Sequence, residues 1–532
     1  MLKKNNKFQM VINKLTLIGV SVVAAIVGLI GILSIFITAN LNTQFNFAGE
    51  RTSFVFSFGI FEILITLAML LVLVLLSRVL FKRIPAKYLM IPVSIICMII
   101  FIYWVNAIQL SPEADQKNIN DIAKTFINAG DIYHYLQPTQ YIHHFPYQCG
   151  IAYIFSLFYR IVGEQNYIYI QYLNSVLSIL NMILIFSISK LLFNDEKTQK
   201  MLVFLIAGFS LYWMFFNVHV YGNIIGLTFA LFAVLFTILY LKKDNPLYIV
   251  FTGVFIAISI LAKSNYYIFL CGIILVLILH IIKKYNLKVL LIIPLLTLSI
   301  MVINTGYNLI MKEKYDVKFS DGVPMITYIY MGMQDSTNTP GWYTNIVLDL
   351  YAKHWFESEP TAEEAKELIK ERLSYFASHP GEFISYYAQK IGSTWLNPTF
   401  QTVWCSLPGA RFEWYPDYAH YLAFHETAVS MVGGKLYELE LKYFDSYQIV
   451  IFIFASIGLF LSLKDFDLTK AILPVIIIGG FLFHILWETK AIYVIQYYFL
   501  LLPYAAYGLV YILDKLIIKN KNLRYKKLNE KN

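Results

Sequence analysis

Long apolar runs alternate with short polar stretches along most of the chain. A helix needs roughly 17–25 mainly apolar residues to cross a bilayer. The pattern therefore predicts an all-α polytopic membrane protein with about twelve spans. The predicted spans are residues 14–38, 53–79, 89–110, 168–192, 201–217, 222–241, 246–262, 267–282, 288–306, 447–463, 471–487 and 492–514. The first is too long for the apolar core of a signal peptide, so we expect an uncleaved anchor.

One further apolar run, YQCGIAYIFSLFYRIVG (147–163), is ambiguous. If it crossed the membrane, several basic clusters would lie outside, against the preference of lysine and arginine for cytoplasmic loops. If it lies on the outer surface instead, one assumption makes all of these clusters cytoplasmic: Lys3–Lys4, 81–87, Lys242–Lys243, Lys283–Lys284 and 519–527. We therefore expect a cell-membrane protein with both termini in the cytoplasm. The segments expected outside are 111–167, 217–223, 262–267, 307–446 and 488–493.

Composition supports a membrane protein over a nucleic-acid-binding one. The chain is 58% hydrophobic and 14% charged, whereas soluble domains carry roughly 25% charged residues. The net charge of +9 would suit a nucleic-acid partner. However, lysine and arginine cluster at the ends of apolar runs, as they do when they orient a chain in a membrane. We expect membrane lipids, and no nucleic acid, around this protein.

The predicted topology divides the chain into four regions. Residues 1–88 form an N-terminal transmembrane hairpin, and 89–306 form a transmembrane core that carries the outer loop 111–167. Residues 307–446 form a small α-rich extracytoplasmic domain. Residues 447–532 hold the last spans and a basic cytoplasmic tail.

Helical periodicity extends into the outer regions. Apolar residues recur at helical spacing within 115–127, which predicts an amphipathic helix on the membrane surface. Ser111–Pro112 fits a cap followed by a first-turn proline. Further along, Thr361 and Glu364 have the spacing of a capping box. The stretch 381–398 is amphipathic and aromatic, and we expect it at the interface.

Asp115 is the leading candidate for chemistry, since it directly follows a predicted span in SPEADQKNINDIAKTF (111–126). A solvated carboxylate at the membrane boundary would look the same. What favours a functional role is the company of polar residues nearby: Gln116, His143, His144, Tyr147 and Gln148. Asp121 and Asp131 are interpreted as ordinary solvated acids.

The histidines and cysteines give no metal signature. His143 and His144 could bind a metal with an acid, but no HxxxH or HExxH pattern supports it. The four cysteines lack metal-ligand spacing, and a Cys149–Cys405 disulfide stays open. No cofactor is predicted, and a divalent metal is not excluded.

Two lysines stand where a positive-inside chain has little reason to place them. Lys263 in LAKSNYY ends a predicted span on the outer side, and Lys490 lies near Glu488 before the last span. Lys263 could be a snorkelling anchor, and Glu488 could simply pair with Lys490. An anionic partner would justify both lysines. Tyr221 and Asn223 lie close by, at the tip of a tight outer turn.

The order of these features resembles the GT-C superfamily of membrane glycosyltransferases. The features are an acid after an early span, a surface helix opening with FPYQCG, a VYGN turn, an outer AKSN and ETKAIYVIQYYFLLLPYAAYGL (488–509). The chain is most similar to bacterial members of the protein O-mannosyltransferase-like branch, glycosyltransferase family 39, over about residues 89–515. The segment GVPMITYIYMGMQDSTNTPGWY (322–343) also resembles many Gram-positive members. The first two spans look like an addition ahead of the shared core.

The resemblance implies a GT-C-like helical bundle, a polyprenyl-phosphate-linked sugar donor and an active site on the outer face. The family's Asp-Glu pair corresponds to Asp115 and Gln116, so the second acid is missing here. The family's Glu-x-x-x-Arg-Tyr pattern corresponds to Glu488 through Tyr493, with Ile492 in place of the arginine. Lys490 is then the candidate for the donor phosphate, and Asn265 of AKSN is a candidate contact.

One carboxylate is chemically sufficient for this reaction. Glycoside hydrolysis uses two because a poor alkoxide leaving group must be protonated, whereas a lipid phosphate leaves as an anion. We therefore expect an inverting glycosyltransferase in which Asp115 is the base and Lys263 and Lys490 bind the phosphate. The acceptor is a cell-envelope glycan, teichoic acid, lipid or protein outside the cell.

Two other classes remain open. A transporter or flippase of lipid-linked glycans would also be polytopic, but transporters place polar residues at mid-membrane, and these spans carry few charges. A non-catalytic assembly partner would use the outer loops only to bind another protein.

Overall fold

The computed structural model describes residues 2–41, 51–56, 59–108, 110–128, 132–284, 290–406 and 426–529. Within these ranges the protein is almost entirely helical and contains a single sheet, of two antiparallel strands. The predicted class, an all-α polytopic membrane protein, is confirmed.

Eleven helical segments among the described residues are long and apolar enough to cross a membrane. They are Asn13–Leu33, Phe61–Leu80, Ala86–Ile108, Ile168–Leu192, Glu196–Phe216, Asn223–Lys243, Ser264–Lys284, Ile292–Tyr315, Tyr437–Ser462, Leu468–Leu486 and Ile495–Leu516. A shorter apolar helix, Leu247–Ala262, is the twelfth. Each predicted span therefore corresponds to an apolar helix. The ambiguous run forms a helix of 14 residues, Cys149–Val162, which is too short to join this set.

The elements are numbered along the chain. The helices up to residue 315 are α1 (Leu2–Leu33), α2 (Ile60–Val74, continued as a π-helix over Leu75–Leu80), α3 (Ala86–Ile108), α4 (Asp115–Ile127), α5 (Tyr141–His144), α6 (Cys149–Val162), α7 (Ile168–Leu192), α8 (Glu196–Phe216), α9 (Asn223–Lys243), α10 (Leu247–Ala262), α11 (Tyr267–Lys284) and α12 (Ile292–Tyr315). The remaining helices are α13 (Met325–Met331), α14 (Ile346–Lys353), α15 (Ser358–Ser378), α16 (Pro380–Trp395), α17 (Thr402–Cys405), α18 (Glu426–Gly433), α19 (Tyr437–Ser462), α20 (Ile472–Leu486), α21 (Ile495–Leu500) and α22 (Leu502–Asn529). The strands are β1 (Ile37–Leu41) and β2 (Thr52–Phe56).

The β1–β2 hairpin replaces helix at the end of the first predicted span and at the start of the second. The register pairs Ile37 with Phe56 and Leu41 with Thr52. These strands, ITANL and TSFVF, are rich in β-branched and aromatic residues, which favour a pleated backbone. The amide of Ala39 donates to the carbonyl of Leu396 at 2.9 Å, so the hairpin is connected to the end of α16.

Both predicted helix caps are wrong. Helix α4 begins at Asp115 rather than at Pro112, with Ala114 as N-cap in a left-handed backbone conformation (φ +47°). Helix α15 begins at Ser358, so Thr361 lies inside it and donates to the Glu357 carbonyl at 2.6 Å. The carboxylate of Glu364 contacts side chains of α14 and the residue after it instead of capping its own helix.

Two ends of the bundle differ in character. Helices α3, α8, α10 and α20 finish at one end, called here the pocket end, where α4, α6 and helices α13 to α16 lie. At the opposite end, Asp514 forms ion pairs with Arg78 at 2.9 Å and with Lys197 at 3.0 Å. The division into four regions stays a prediction, and α12 and α19 run across two of its boundaries.

The open disulfide is not formed. Cys149 and Cys405 are buried free thiols. The Cys149 thiol instead interacts with the hydroxyl of Tyr307 on α12.

Candidate active site

A pocket of about 110 Å³ opens at the pocket end, among the connections between helices. It brings together these residues predicted from the sequence: Asp115, Gln116, Tyr221, Asn223, Lys263, Lys490 and Tyr493. Residues from four distant parts of the chain thus face one cavity.

Helix α4 places Asp115 at the pocket. Its apolar face is buried against α6, and the Tyr159 hydroxyl of α6 donates to Asn120 at 2.6 Å. At its first turn, Gln116 Oε1 accepts from the backbone N–H of Val220 at 2.7 Å. This bond fastens the start of α4 to the α8–α9 turn. The residue that replaces the second acid of the family pattern therefore positions the first.

Two buried side-chain amides on α7 hold the α8–α9 turn in place by hydrogen bonds. The amide of Gln171 donates to Val218 O at 3.0 Å and to Leu110 O at 2.8 Å. The amide of Asn174 donates to Asn217 O and to His219 O, both at 3.0 Å. Because buried carbonyls need partners, these amides fix the turn without a sheet or a further helix.

The α8–α9 turn and the α10–α11 connection lie in close contact. A Cβ atom on Gly222 would lie 1.9 Å from the carbonyl oxygen of Ala262, so only glycine permits this approach. The approach brings Lys263 Nζ to 4.2 Å from the centre of the Tyr221 ring. The same ammonium lies 5.2 Å from the ring of Tyr493.

The segment between α20 and α21 supplies Glu488 and Lys490. Thr489 connects it to the segment that follows α13, since its N–H donates to Gly341 O at 2.8 Å and its hydroxyl to Pro340 O at 2.7 Å. Lys490 Nζ lies between two indole rings, 5.1 Å from that of Trp342 and 5.0 Å from that of Trp404. The segment 322–343, noted for its family resemblance, thus builds one wall around Lys490.

A buried lysine that the sequence analysis missed supports the same segment. Lys390 on α16 is fully buried, and its ammonium donates to the carbonyls of Trp487, at 2.7 Å, and Gly332. The Tyr386 hydroxyl also donates to Gly332 O, at 2.9 Å. The only sequence signal was a lysine within an amphipathic helix. Other pocket-lining residues that were not singled out are Glu113, His219 and Trp404.

Burial shifts the pKa values of the ionisable groups in the pocket. Asp115 is open to the cavity but crowded by protein, and this desolvation raises its pKa, although Tyr141, Lys490 and Lys263 oppose the shift. Burial lowers the pKa of Lys263 to about 7; Asp115 and Glu488 raise it, and Lys490 lowers it further. The site therefore holds a carboxylate of increased basicity beside an ammonium that can lose its charge near neutral pH.

The His219 imidazole is kept neutral. Burial, together with the charges of Lys263 and Lys490, lowers its pKa to about 3. Its Nδ1 atom has no hydrogen-bond partner among the described residues, and neither has Oδ1 of Asn223. Both residues line the pocket, although these two atoms are themselves buried.

Several predicted residues lie beside the pocket rather than in its lining. Gln148 donates its amide to the Tyr221 hydroxyl, and Glu488 accepts from the Tyr493 hydroxyl at 3.2 Å. Asn265 lies in the 3-10 turn after Lys263. Tyr147 faces a neighbouring pocket.

The two predicted histidines lie in an aromatic cluster at the end of α14. His143 stacks on Tyr351, with ring centres 6.0 Å apart, and His144 stacks on Phe356 at 5.6 Å. The described residues contain no group of three or more histidines, cysteines or acids arranged to hold a metal ion. Asp131 lies outside the described residues.

Residues 149–305 match the profile of the family described as dolichyl-phosphate-mannose-protein mannosyltransferase. The matched segment contains Tyr221, Asn223, Lys263 and Asn265 but ends before Lys490. The recognition of this branch from the sequence is confirmed, and the match indicates a mannosyltransferase-like membrane glycosyltransferase. A search of curated proteins found no match.

Proposed function

We propose that the protein is an inverting glycosyltransferase that moves a sugar from a polyprenyl-phosphate-linked donor to a hydroxyl group of an extracytoplasmic acceptor. The observation that carries this proposal is the single pocket that holds Asp115, Lys263 and Lys490 together. The family match supports the lipid-linked donor.

The three residues divide the reaction between them. Asp115 accepts the proton of the acceptor hydroxyl as its oxygen bonds to the anomeric carbon of the donor. The bond between that carbon and the phosphate oxygen breaks, and the lipid phosphate leaves with the electron pair. Lys263 and Lys490 stabilise the negative charge that develops on the leaving phosphate. A single displacement of this kind inverts the anomeric configuration.

The aromatic surroundings suit the lysines for this role. The rings of Tyr221, Trp342 and Trp404 hold the two ammonium groups by cation–π contacts. An aromatic face attracts an ammonium without cancelling its charge. The positive charge therefore stays available to a phosphate.

Other residues around the pocket suit the sugar. Tyr221 and Asn223 line the cavity, and Oδ1 of Asn223 has no hydrogen-bond partner among the described residues. Gln148 orients the Tyr221 hydroxyl. The outer region, which surrounds His143, would recruit the acceptor.

Replacement of Asp115 tests the assigned base. Asp115→Asn should lower kcat by about 10²–10⁴-fold, the usual contribution of a general base. The assay uses purified protein with a panel of polyprenyl-phosphate monosaccharides and envelope fractions as acceptors, and measures released polyprenyl phosphate by mass spectrometry.

Asp121→Asn is the matched control. Asp121 lies on the same helix but pairs with Lys124 at 3.8 Å and does not line the pocket. Its variant should keep wild-type turnover. Full activity of Asp115→Asn would remove Asp115 as the base. Passage of lipid-linked sugar across vesicles without transfer would favour a flippase instead.

A further inference from the structure

A second pocket, of about 250 Å³, adjoins the candidate active site along the α10–α11 connection. Lys263 lines the first pocket, and the next residue, Ser264, lines the second. The two pockets are also linked through α5–α6. There Tyr147 lines the second pocket, while the adjacent Gln148 donates to Tyr221 of the first.

The lining of the second pocket combines apolar groups with uncharged polar ones. Its polar side chains are those of Tyr147, Ser264, Tyr267, Asn304, Tyr307 and Asn308. Among the residues that the structure describes, no lysine, arginine, histidine or acid lines it. A charged group would lose hydration there without gaining an opposite charge. A neutral ligand rich in hydroxyl groups would find donors and acceptors on several sides.

Helix α12 contributes a short polar face to an otherwise apolar surface. Asn304, Tyr307 and Asn308 share one side of the helix by their spacing, whereas Leu298 and Val302 of α12 are exposed apolar side chains. Polar side chains on a membrane helix are costly and usually have a function. The amides of Asn304 and Asn308 form no hydrogen bond with other described residues, so both are available to a ligand.

Aromatic rings complete the lining. Tyr147 and Tyr267 are 46% and 51% exposed, so their faces are open to a ligand. The Tyr307 hydroxyl is held by the Cys149 thiol, which fixes its ring in place. Open rings beside free amides suit a pyranose, which has apolar C–H faces and a hydroxyl rim.

We propose that the second pocket is a binding subsite for a neutral sugar ring. This inference rests on the proposed function, because it places one of the two sugar-bearing substrates. The ring belongs either to the donor sugar or to the acceptor, and the experiment separates these sources.

The first measurement is binding of free sugars, which requires no turnover. Saturation-transfer NMR is recorded with methyl α-mannopyranoside and methyl β-glucopyranoside on the full chain in lipid nanodiscs. We expect a signal for at least one glycoside, reduced at least about fivefold in the Asn304→Leu/Asn308→Leu variant. Thr297→Val on the same helix, whose hydroxyl bonds only to Ile293 O at 3.0 Å, should keep the signal.

The second measurement is the kinetic effect of the same double variant. A raised KM for the donor alone assigns the ring to the donor, and a raised KM for the acceptor alone assigns it to the acceptor. The inference is overturned if the wild type gives no saturation transfer, or if the double variant matches the wild type in signal and in both KM values. Gel filtration and thermal unfolding confirm that the variant is folded.

The failures of the two proposals are distinguishable. An amide-dependent sugar signal in a protein that transfers no sugar would retain the subsite and reject the transferase. Transfer by the wild type, with an unchanged sugar signal and unchanged kinetics in the double variant, would do the reverse.

Discussion

At the scale of single residues, the charge of Lys263 is the most finely balanced in the pocket. Burial disfavours its ammonium form, and the nearby charge of Lys490 adds to this effect. Asp115 and Glu488 act in the opposite direction. The rings of Tyr221 and Tyr493 lie against the ammonium, and the neutral His219 lines the same pocket. The net result is a pKa of about 7.

This balance predicts a pH-dependent affinity for the donor. In the proposed reaction, Lys263 is charged below pH 7 and binds the donor phosphate in that form. As the pH rises through about 7 the ammonium form is lost, so the donor KM should increase by up to about tenfold per pH unit. The measurement is the donor KM between pH 6 and pH 9 under saturating acceptor.

Lys263→Arg is the control for this profile. A guanidinium stays charged throughout this range, so the donor KM of the variant should be nearly independent of pH. A wild-type KM that stays flat up to pH 9 would contradict the assignment of Lys263 to the phosphate.

The sequence supported some residues of the site better than others. Asp115, Lys263 and Lys490 could be predicted because each is a charge that a membrane boundary does not require. Lys390 and His219 could not, because a lysine in an amphipathic helix and a histidine in a turn are ordinary in sequence. Their importance arises only from burial and from neighbours distant along the chain.

At the scale of elements, helix α16 connects two segments through the ammonium of Lys390. One is the segment after α13, which contains Gly332, and the other is the Trp487–Lys490 segment. Lys390→Met would remove the donor to Trp487 O and leave that carbonyl unpaired. We expect a loss of about 1–3 kcal/mol in stability, seen as a lower Tm in detergent. Because the Trp487–Lys490 segment loosens, the donor KM should also rise.

The effect should depend on pH with a defined sign. The Lys390 pKa is lowered by burial to about 7 in the folded protein and is about 10.4 in an unfolded chain. Between these values the unfolded chain binds more protons, so the wild type gains stability with rising pH. The destabilisation by Lys390→Met should therefore grow from pH 7 towards pH 10.

Lys370→Met on α15 is the matched control. Lys370 is exposed and pairs only with Glu367, so its loss should change stability by less than about 0.5 kcal/mol. If Lys390→Met had the same Tm as the wild type at every pH, the buried lysine would not stabilise the Trp487–Lys490 segment.

Elements were predictable where one physical term dominated. The length of the apolar runs located the spans, because the bilayer sets a minimum helix length. The β1–β2 hairpin was not predicted because its residues are apolar enough to continue a membrane-spanning helix. Only the pairing of the two strands distinguishes a strand from a helix here. The role of Gln171 and Asn174 on α7 was not predicted, because each looks like an isolated polar residue in an apolar helix. Their role is visible only when the α8–α9 turn that they support is known.

At the scale of the whole molecule, charge is distributed unevenly between the ends of the bundle. The opposite end is rich in basic residues, namely Arg78, Lys82, Arg83, Lys87, Lys190, Lys197, Lys200, Lys242, Lys243, Lys283, Lys284, Lys464, Lys470 and Lys515. Many of these lie in short connections, where the positive-inside rule is most reliable. The pocket end carries the long connections, whose charge says little about orientation.

This asymmetry predicts that the opposite end is cytoplasmic and that the pocket opens outside the cell. Tyr133→Cys, an exposed position at the pocket end, should react with a membrane-impermeant maleimide in intact cells. Lys242→Cys, exposed at the opposite end, should react only after permeabilisation. Both variants carry Cys271→Ser, since the other three cysteines are buried.

The labelling result also bears on the chemistry. Asp115, Lys263 and Lys490 line one cavity, so they share a side whatever the orientation. An inverted pattern would leave the pocket intact but place it in the cytoplasm, where soluble nucleotide-linked sugars are at hand. The need for a lipid-linked donor would then disappear, because a polyprenyl carrier is required only where such donors cannot reach. Orientation is therefore the property of the whole molecule that decides which donor its lysines bind.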